Sequence, residues 1–393
     1  MSGNRLPFPM PPVTARWDVF CKVVDNFGDA GVCWRLARML AREHRLAVTL
    51  WIDDPEALLR MAPGVDPIRD AQSLAGVTLR RWTQPFPDLP ADEIPAVVVE
   101  GFGCGLPERY VAALAARATP PVWFILEYLS AERWIDAAHG RPSPHPTWGL
   151  PRRFWFPGFT PASGGLLRER GLADLRRRFR ADGEAQAALW SLLGVPPRAA
   201  GEIRVSLFRY PGARLAALQE AWAAGDVPLV CLVPDPGSRA AADGTVPPLA
   251  APATRGALSV YRIPFVAQDH YDRLLWACDV NFVRGEDSFV RAQWAARPLL
   301  WQIYPQAEAA HVAKLEAFLD RYVAGMAPAA AAAARGLFAA WNDVPGAPAP
   351  GAAWRAYVAQ LPALADAALH WAEGLAGLPE LAAGLVSAAR DGV

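Results

Sequence analysis

The sequence has little that would tie it to a nucleic acid or a membrane. Among its 393 residues, 39 basic side chains balance 39 acidic ones, so no basic excess is available to attract nucleic acid. No apolar run reaches the roughly 18 residues that a membrane span needs, and residues 1–16 are rich in proline and lack a signal-peptide core. These absences predict a cytoplasmic protein with no nucleic-acid partner and no membrane partner.

Cysteine is also scarce, and its spacing is not that of a crosslink or a metal site. The five cysteines are odd in number and none lies in a CxxC pair, which favours reduced, buried thiols. The histidines near the motifs described below, His145, His270 and His311, lack the spacing of metal ligands. We therefore expect these histidines to have structural or hydrogen-bonding roles.

Hydrophobic residues are abundant at 53%, enough for two sizeable cores. Apolar segments of strand length alternate with helical segments, which is typical of parallel sheets covered on both faces. The predicted strands of the first half cover residues 19–24, 46–52, 77–82, 96–100 and 122–128. Those of the second half cover residues 203–208, 227–233, 258–263, 280–283 and 299–304, and residues 141–159 have the composition of a loop.

This alternation predicts two α/β domains in series. We expect an N-terminal Rossmann-like domain over residues 1–185 and a second Rossmann-like domain over residues 186–350. Residues 351–393 should form helices, which either cross back to the first domain or cap the second.

The first motif is a short loop between a strand and a helix that resumes from Val32. Asp25 and Asp29 flank the tripeptide that ends at Gly28, in a position where open α/β sheets usually bind ligands. Either aspartate alone could cap the helix. Capping needs only one of them, so the pair indicates a site with two carboxylates.

A second motif of the same design runs from Arg284 to Ser288. A short apolar strand ends at Gly285 and a helix is expected to open at Ser288, capped by Ser288 or Asp287. Such a helix start suits a phosphate, and Arg284 would add a charge-assisted bond. Glu286 suits a phosphate poorly, which indicates a sugar hydroxyl or a cationic acceptor. The alternative is a capped, buried helix whose acids complement the helix dipole.

Two α/β domains with these motifs would face each other across a cleft, with carboxylates on one side and a phosphate seat on the other. That is the arrangement of GT-B glycosyltransferases. A dehydrogenase is the weaker reading, because the third glycine of a dinucleotide fingerprint after Gly101 and Gly103 would fall at Leu106.

Four long motifs carry a family resemblance: WDVFCKVVDNFGDAGVCWRLAR, EGFGCGLPERYVAALA, LEYLSAE and FVRGEDSFVRAQWA. From about Trp17 to about Tyr322 the chain resembles the EarP family, bacterial protein-arginine rhamnosyltransferases that modify translation elongation factor P (EF-P). The resemblance implies the GT-B fold, with two doubly wound Rossmann-like domains facing a cleft. It also implies dTDP-β-L-rhamnose as co-substrate, inversion at the anomeric carbon, no metal or other cofactor, and an EF-P arginine as acceptor. Such a modification would support translation of proline stretches.

The resemblance also implies roles for individual residues. The essential carboxylates of the family match Asp25, Asp29 and Glu286. Its donor site matches Phe208, Tyr210, Phe265, Gln268, Arg284, Asp287 and Ser288. We add four loop residues as expected donor contacts: Asn26, Phe27, Gly28 and Gly285. Pro211-Gly212 departs from the family pattern and could reshape the loop over the nucleotide.

The chemistry agrees with these residues, because a protonated guanidinium is a poor nucleophile that needs its charge offset and a proton removed. We expect Asp29 to act as base, with Asp25 and Glu286 holding the guanidinium; Asp25 is the rival base. Two alternatives stay open from the sequence: a GT-B enzyme that acts on a small acceptor, and a non-catalytic protein that binds EF-P or a nucleotide.

Overall fold

The computed structural model describes residues 15–25, 27–210, 214–239, 252–304 and 310–391. Seven strands form a first sheet: β1 (Arg16–Cys21), β2 (Ala47–Ile52), β3 (Ala71–Leu74), β4 (Val77–Arg81), β5 (Val97–Gly101), β6 (Val122–Leu126) and β7 (Arg152–Trp155). Their order is β3-β4-β2-β1-β5-β6-β7, and only the β3–β4 pair is antiparallel.

Six further strands form a second sheet: β8 (Ile203–Leu207), β9 (Leu229–Arg239), β10 (Ala253–Arg255), β11 (Leu258–Phe265), β12 (Val280–Arg284) and β13 (Leu299–Gln302). Their order is β10-β11-β9-β8-β12-β13, and only the β10–β11 pair is antiparallel. The chain therefore contains two Rossmann-like units, as the alternating pattern predicts.

Helices follow most of the strands. The described helices are α1 (Gly28–Glu43), α2 (Glu56–Leu59), α3 (Glu108–Ala115), α4 (Trp134–Ala138), α5 (Leu172–Ala181), α6 (Gly183–Leu192), α7 (Leu215–Ala223), α8 (Gln268–Ala277), α9 (Asp287–Ala295), α10 (Ala310–Tyr322), α11 (Pro328–Trp341), α12 (Pro350–Ala359), α13 (Leu361–Ala376) and α14 (Leu381–Arg390). Among them none has both the length and the apolar character that crossing a membrane would require.

The sheet order places the two motif loops at corresponding positions. Strand β1 lies between β2 and β5, and its loop leads into α1. Strand β12 lies between β8 and β13, and its loop leads into α9. Both loops follow the carboxyl end of an internal strand, where ligands bind in open parallel sheets. Two such units meeting at a cleft make this a GT-B fold.

Several predicted boundaries were wrong. Strand β1 ends at Cys21 rather than at residue 24, and helix α1 begins at Gly28 rather than Val32. Helix α9 opens at Asp287, one residue before Ser288. Residues 141–159 are not only loop, because they contain β7. This strand is short, carries two arginines and pairs with one neighbour at the sheet edge, so it lacks the apolar run of an internal strand.

The C-terminal helices contact both units. Helix α12 packs against α7 and α13 against α9, in the core of the second unit. Helix α14 instead buries Leu381, Leu385 and Val386 in the core of the first unit. The side chain of Glu380 caps α14 by accepting the backbone N–H groups of Ala382 and Ala383. The chain thus returns from the second unit to the first.

Candidate active site

The loops that follow β1 and β12 touch each other across the cleft. A Cβ atom placed on Gly28 would lie 2.8 Å from Asp25 Oδ2, and one placed on Gly285 would lie 2.8 Å from the same oxygen. Gly285 also has a φ of 61°, in the left-handed region that favours glycine. Only glycine at both positions lets the two loops approach this closely around the Asp25 carboxylate.

Asp25 is held by side chains of the second unit. The Tyr210 hydroxyl donates a hydrogen bond of 2.6 Å to Asp25 Oδ2. Arg284 Nη1 lies 3.9 Å from Oδ1, and the same guanidinium stacks over the Tyr210 ring at 4.4 Å. Asp25 is therefore a contact point between the two units as well as a half-buried carboxylate of the cleft.

Asp29 holds the loop that precedes its own helix. It lies in the first turn of α1 and is only 1% exposed. Its Oδ2 accepts the backbone N–H groups of Val24 and Asp25, each at 2.9 Å. Burial raises the pKa of Asp29 above its ordinary value, although these two N–H groups oppose the shift. The capping interpretation is wrong, because Phe27 occupies the N-cap position of α1 and makes no side-chain cap.

Glu286 occupies the N-cap position of α9 and faces the first unit. Its Oε2 accepts the backbone N–H of Leu129 at 3.0 Å. Burial raises the pKa of Glu286 to about 8, while the nearby Lys314 and the Leu129 N–H act in the opposite direction. No side-chain hydrogen bond caps α9, so the prediction that Ser288 or Asp287 caps it was wrong.

The three carboxylates line a single cavity of about 660 Å³. Its remaining wall includes Tyr128, Tyr304 and Lys314. Tyr128 and Tyr304 are 41% and 58% exposed, so the mouth of the cavity presents aromatic residues to a partner. Three acids and aromatic faces together suit a cationic, planar group such as a guanidinium.

An aromatic pocket of about 50 Å³ lies beside this cavity. The Phe27 ring approaches that of Phe265 at 4.8 Å, and the Phe208 ring lies 6.1 Å from each. The Arg284 guanidinium stacks over Phe208 at 4.6 Å. Its Nε is buried and has no hydrogen-bond partner in the described part of the chain. A flat apolar group beside an anion would match these walls.

Three other predicted donor residues, Gln268, Asp287 and Ser288, lie in the same wall but are engaged by the protein, whereas Tyr210 lines the carboxylate cavity instead. Gln268 Nε2 donates to the Gly31 carbonyl at 3.0 Å and to Asp287 Oδ2 at 3.1 Å. The Ser288 hydroxyl donates to the carbonyl oxygen of Arg284 and accepts its N–H. Two expectations, for Asn26 and for Pro211-Gly212, fall outside the described residues.

Sequence reasoning missed several residues of the site. Tyr128 belongs to the LEYLSAE motif, but only its strand was interpreted. Lys314 is one of two lysines in the chain, a signal that could have drawn attention to it. Arg35 lies inside the motif WDVFCKVVDNFGDAGVCWRLAR, and sequence reasoning assigned it no role.

The state of the thiols matches the expectation in part. All five cysteines are free, and four of them are buried. In the described ranges no three or more His, Cys, Asp or Glu side chains are grouped so that they could hold a metal ion.

Comparison with known proteins places this chain in a family. Residues 17–390 match the family described as Elongation-Factor P (EF-P) rhamnosyltransferase EarP. The chain is 48% identical over 378 residues to the protein-arginine rhamnosyltransferase of Pseudomonas aeruginosa. This match covers 95% of this chain and 98% of that protein. It is 38% identical over 316 residues to that of Neisseria meningitidis serogroup B, covering 77% and 78% of the two chains.

A solved structure gives the same result. The chain is similar, with a TM-score of 0.65 and 36% identity, to a structure described as the basis for EarP-mediated arginine glycosylation of translation elongation factor EF-P. The match covers 96% of this chain and all of that one. This chain therefore belongs to the EarP family of protein-arginine rhamnosyltransferases, glycosyltransferases whose acceptor substrate is EF-P.

Proposed function

We propose that this enzyme transfers L-rhamnose from dTDP-β-L-rhamnose to the guanidino group of one EF-P arginine, with inversion at the anomeric carbon. The observation that carries the proposal is the convergence of Asp25, Asp29 and Glu286, from both units, on one cavity beside an aromatic pocket. As part of this proposal we assign residues 1–185 to the acceptor domain, 186–350 to the donor domain and 351–393 to the C-terminal helices. Because EF-P acts in translation, we place the reaction in the cytoplasm.

The acceptor arginine enters the cavity past Tyr128 and Tyr304. Its guanidinium carries a full positive charge and delocalised lone pairs, so it attacks only when that charge is offset and a proton is removed. Asp25 and Glu286 face it from opposite units and offset the charge. Asp29 takes the proton, since its raised pKa brings it nearer the working pH, where a general base is most effective. Asp25 remains the rival base.

The nucleotide occupies the aromatic side of the cleft. Thymine stacks on Phe208 or Phe265, with Phe27 closing the pocket from the first unit. The diphosphate lies against Arg284 and the N-terminus of α9, where backbone N–H groups and the helix dipole favour an anion. These groups also stabilise the negative charge that dTDP takes up as it leaves.

The position of the two compartments supports inversion. Asp25, Gly28 and Gly285 line both the acceptor cavity and the aromatic pocket, so the sugar would sit between them. The guanidino nitrogen then forms its bond to the anomeric carbon on the face opposite the breaking carbon–oxygen bond. The proton goes to a carboxylate and the bonding electrons leave with dTDP.

The test is incubation of the protein with EF-P and dTDP-rhamnose, followed by the intact mass of EF-P. We expect a gain of one deoxyhexose residue on one arginine, and an anomeric NMR coupling that reports the inverted configuration. EF-P with that arginine replaced by lysine, and UDP-glucose in place of the donor, are the controls. An unchanged EF-P mass with dTDP-rhamnose would refute the donor assignment.

A further inference from the structure

A buried ionic cluster joins the two units directly behind the site. Arg35 belongs to α1, the helix that carries Asp29, and is 1% exposed. Its Nε donates to Asp287 Oδ1 at 3.0 Å and its Nη1 to Glu169 Oε1 at 2.6 Å. Nη1 also lies 3.6 Å from Asp272 Oδ2. One side chain of the first unit thus reaches two helices of the second.

Arg291 completes the cluster from the second unit. Its guanidinium forms a two-pronged contact with Asp272, at 2.8 and 2.6 Å, and donates to Glu169 Oε2 at 2.7 Å. Glu169 therefore bridges Arg35 and Arg291. Burial alone would raise the pKa of Glu169, but the two guanidinium groups hold it well below the ordinary value. The Glu169 carboxylate remains charged and keeps the two arginines together.

Asp287 connects this cluster to the donor side. It is the first residue of α9, follows Glu286 and lines the aromatic pocket. Asp287 Oδ1 accepts a hydrogen bond from Arg35, and Asp287 Oδ2 accepts one from Gln268. Gln268 also donates a hydrogen bond to the Gly31 carbonyl of α1. Helix α1 therefore contacts two polar residues of the donor wall, Gln268 and Asp287, and links them to Asp29 in its own first turn.

We propose that Arg35 is a positioning residue. It fixes Asp287 and the start of α9 relative to Asp29, so that the donor side and the acceptor side of the site stay aligned. This inference rests on the proposed function, because it assumes that the α9 side binds the nucleotide. Removing one partner of a buried, hydrogen-bonded charge pair leaves the other uncompensated and is strongly unfavourable. A lysine keeps the charge but lacks the planar fork that bonds Asp287 and Glu169 together.

The same helix offers a matched control. Arg38 Nη2 bonds Asp269 Oδ1 at 3.1 Å, so this pair also joins α1 to α8. The Asp269 side chain is 66% exposed, however, and exposed ion pairs contribute little. Arg38 lines neither cavity. R38M therefore removes an arginine and a contact between the units without disturbing the buried cluster.

The experiment compares wild type, R35M, R35K and R38M in the full-length protein. Calorimetry gives the Kd for dTDP, and EF-P modification gives kcat and KM for dTDP-rhamnose and for EF-P. We expect R35M to raise the dTDP Kd and the donor KM by at least about tenfold, within the 5–150-fold range typical of coupling between sites. We expect R35K to give a smaller rise, and R38M to stay within about twofold.

Thermal melting and circular dichroism separate positioning from stability. A purely structural role would lower the melting temperature of R35M and leave the dTDP Kd and the donor KM unchanged, and that result would overturn the proposal. If R35M does not fold, R35K decides, and donor affinity equal to wild type would overturn it. If the wild-type protein binds no dTDP, the proposed donor is refuted. If the wild type binds dTDP and R35M binds it equally well, only the positioning role of Arg35 is refuted.

Discussion

The pH dependence of EF-P modification offers a sharp test of the acceptor site. With a pKa of about 8, Glu286 is ionised in about one molecule in ten at pH 7 and about nine in ten at pH 9. Only the ionised carboxylate can offset the charge of the acceptor guanidinium. We therefore expect kcat/KM for EF-P to rise about tenfold between pH 7 and pH 9.

A change at Lys314 can perturb the pKa of Glu286, because Lys314 lines the cavity and lowers that pKa. Replacing it with methionine removes this charge, and loss of one nearby opposite charge moves a carboxyl pKa by about 1 unit or more. A pKa moved from about 8 to about 9 reduces the ionised fraction at pH 7.5 about eightfold. K314M should lower kcat/KM by that factor at pH 7.5, whereas K314R, which keeps the charge, should not.

The assay measures the initial rate of EF-P mass gain at a low EF-P concentration and a saturating donor concentration. The measurements run from about pH 6.5 to about pH 9.5. The acceptor arginine does not titrate in this window. Asp29 also has a raised pKa, but Lys314 is not among the main causes of that shift. Lys314 also lowers the pKa of Glu127, which does not line the cavity, so E127Q is the control. Identical pH profiles for K314M and K314R would refute the reasoning.

Three further outcomes are expected. Asp29→Asn should lower kcat by roughly 10²–10⁴ while dTDP affinity by calorimetry is kept, and a kcat near wild type would exclude Asp29 as base. Tyr210→Phe should lower kcat/KM about tenfold, because Asp25 loses a 2.6 Å bond across the cleft, and unchanged kinetics would count against that contact. Gly165→Ala should lower the free energy of unfolding, measured with denaturant, by at least about 2 kcal/mol. The φ of Gly165 is 71°, and a Cβ there would collide with the Pro379 carbonyl. An unchanged unfolding midpoint would contradict this expectation.

Much of the architecture is contained in local patterns. The apolar strands and the helices between them predict two α/β units, because the spacing of apolar side chains reflects which face of each element is buried. The motifs around Asp25 and Glu286 stand directly after strands, so their place at the sheet edge follows from chain order. Strand β7 escaped prediction because an edge strand with two arginines has no such pattern.

The pairing across the cleft was decided only by the tertiary structure. Tyr210 and Asp25 are 185 positions apart, and Arg35 and Asp287 are 252 apart, yet each pair is hydrogen-bonded. Local spacing carries no information on which distant helices pack together, so neither the buried cluster nor the return of α14 to the first unit could be read from it. The sequence by itself determined which side chains can do the chemistry, and the packing of the two units determined which of them meet.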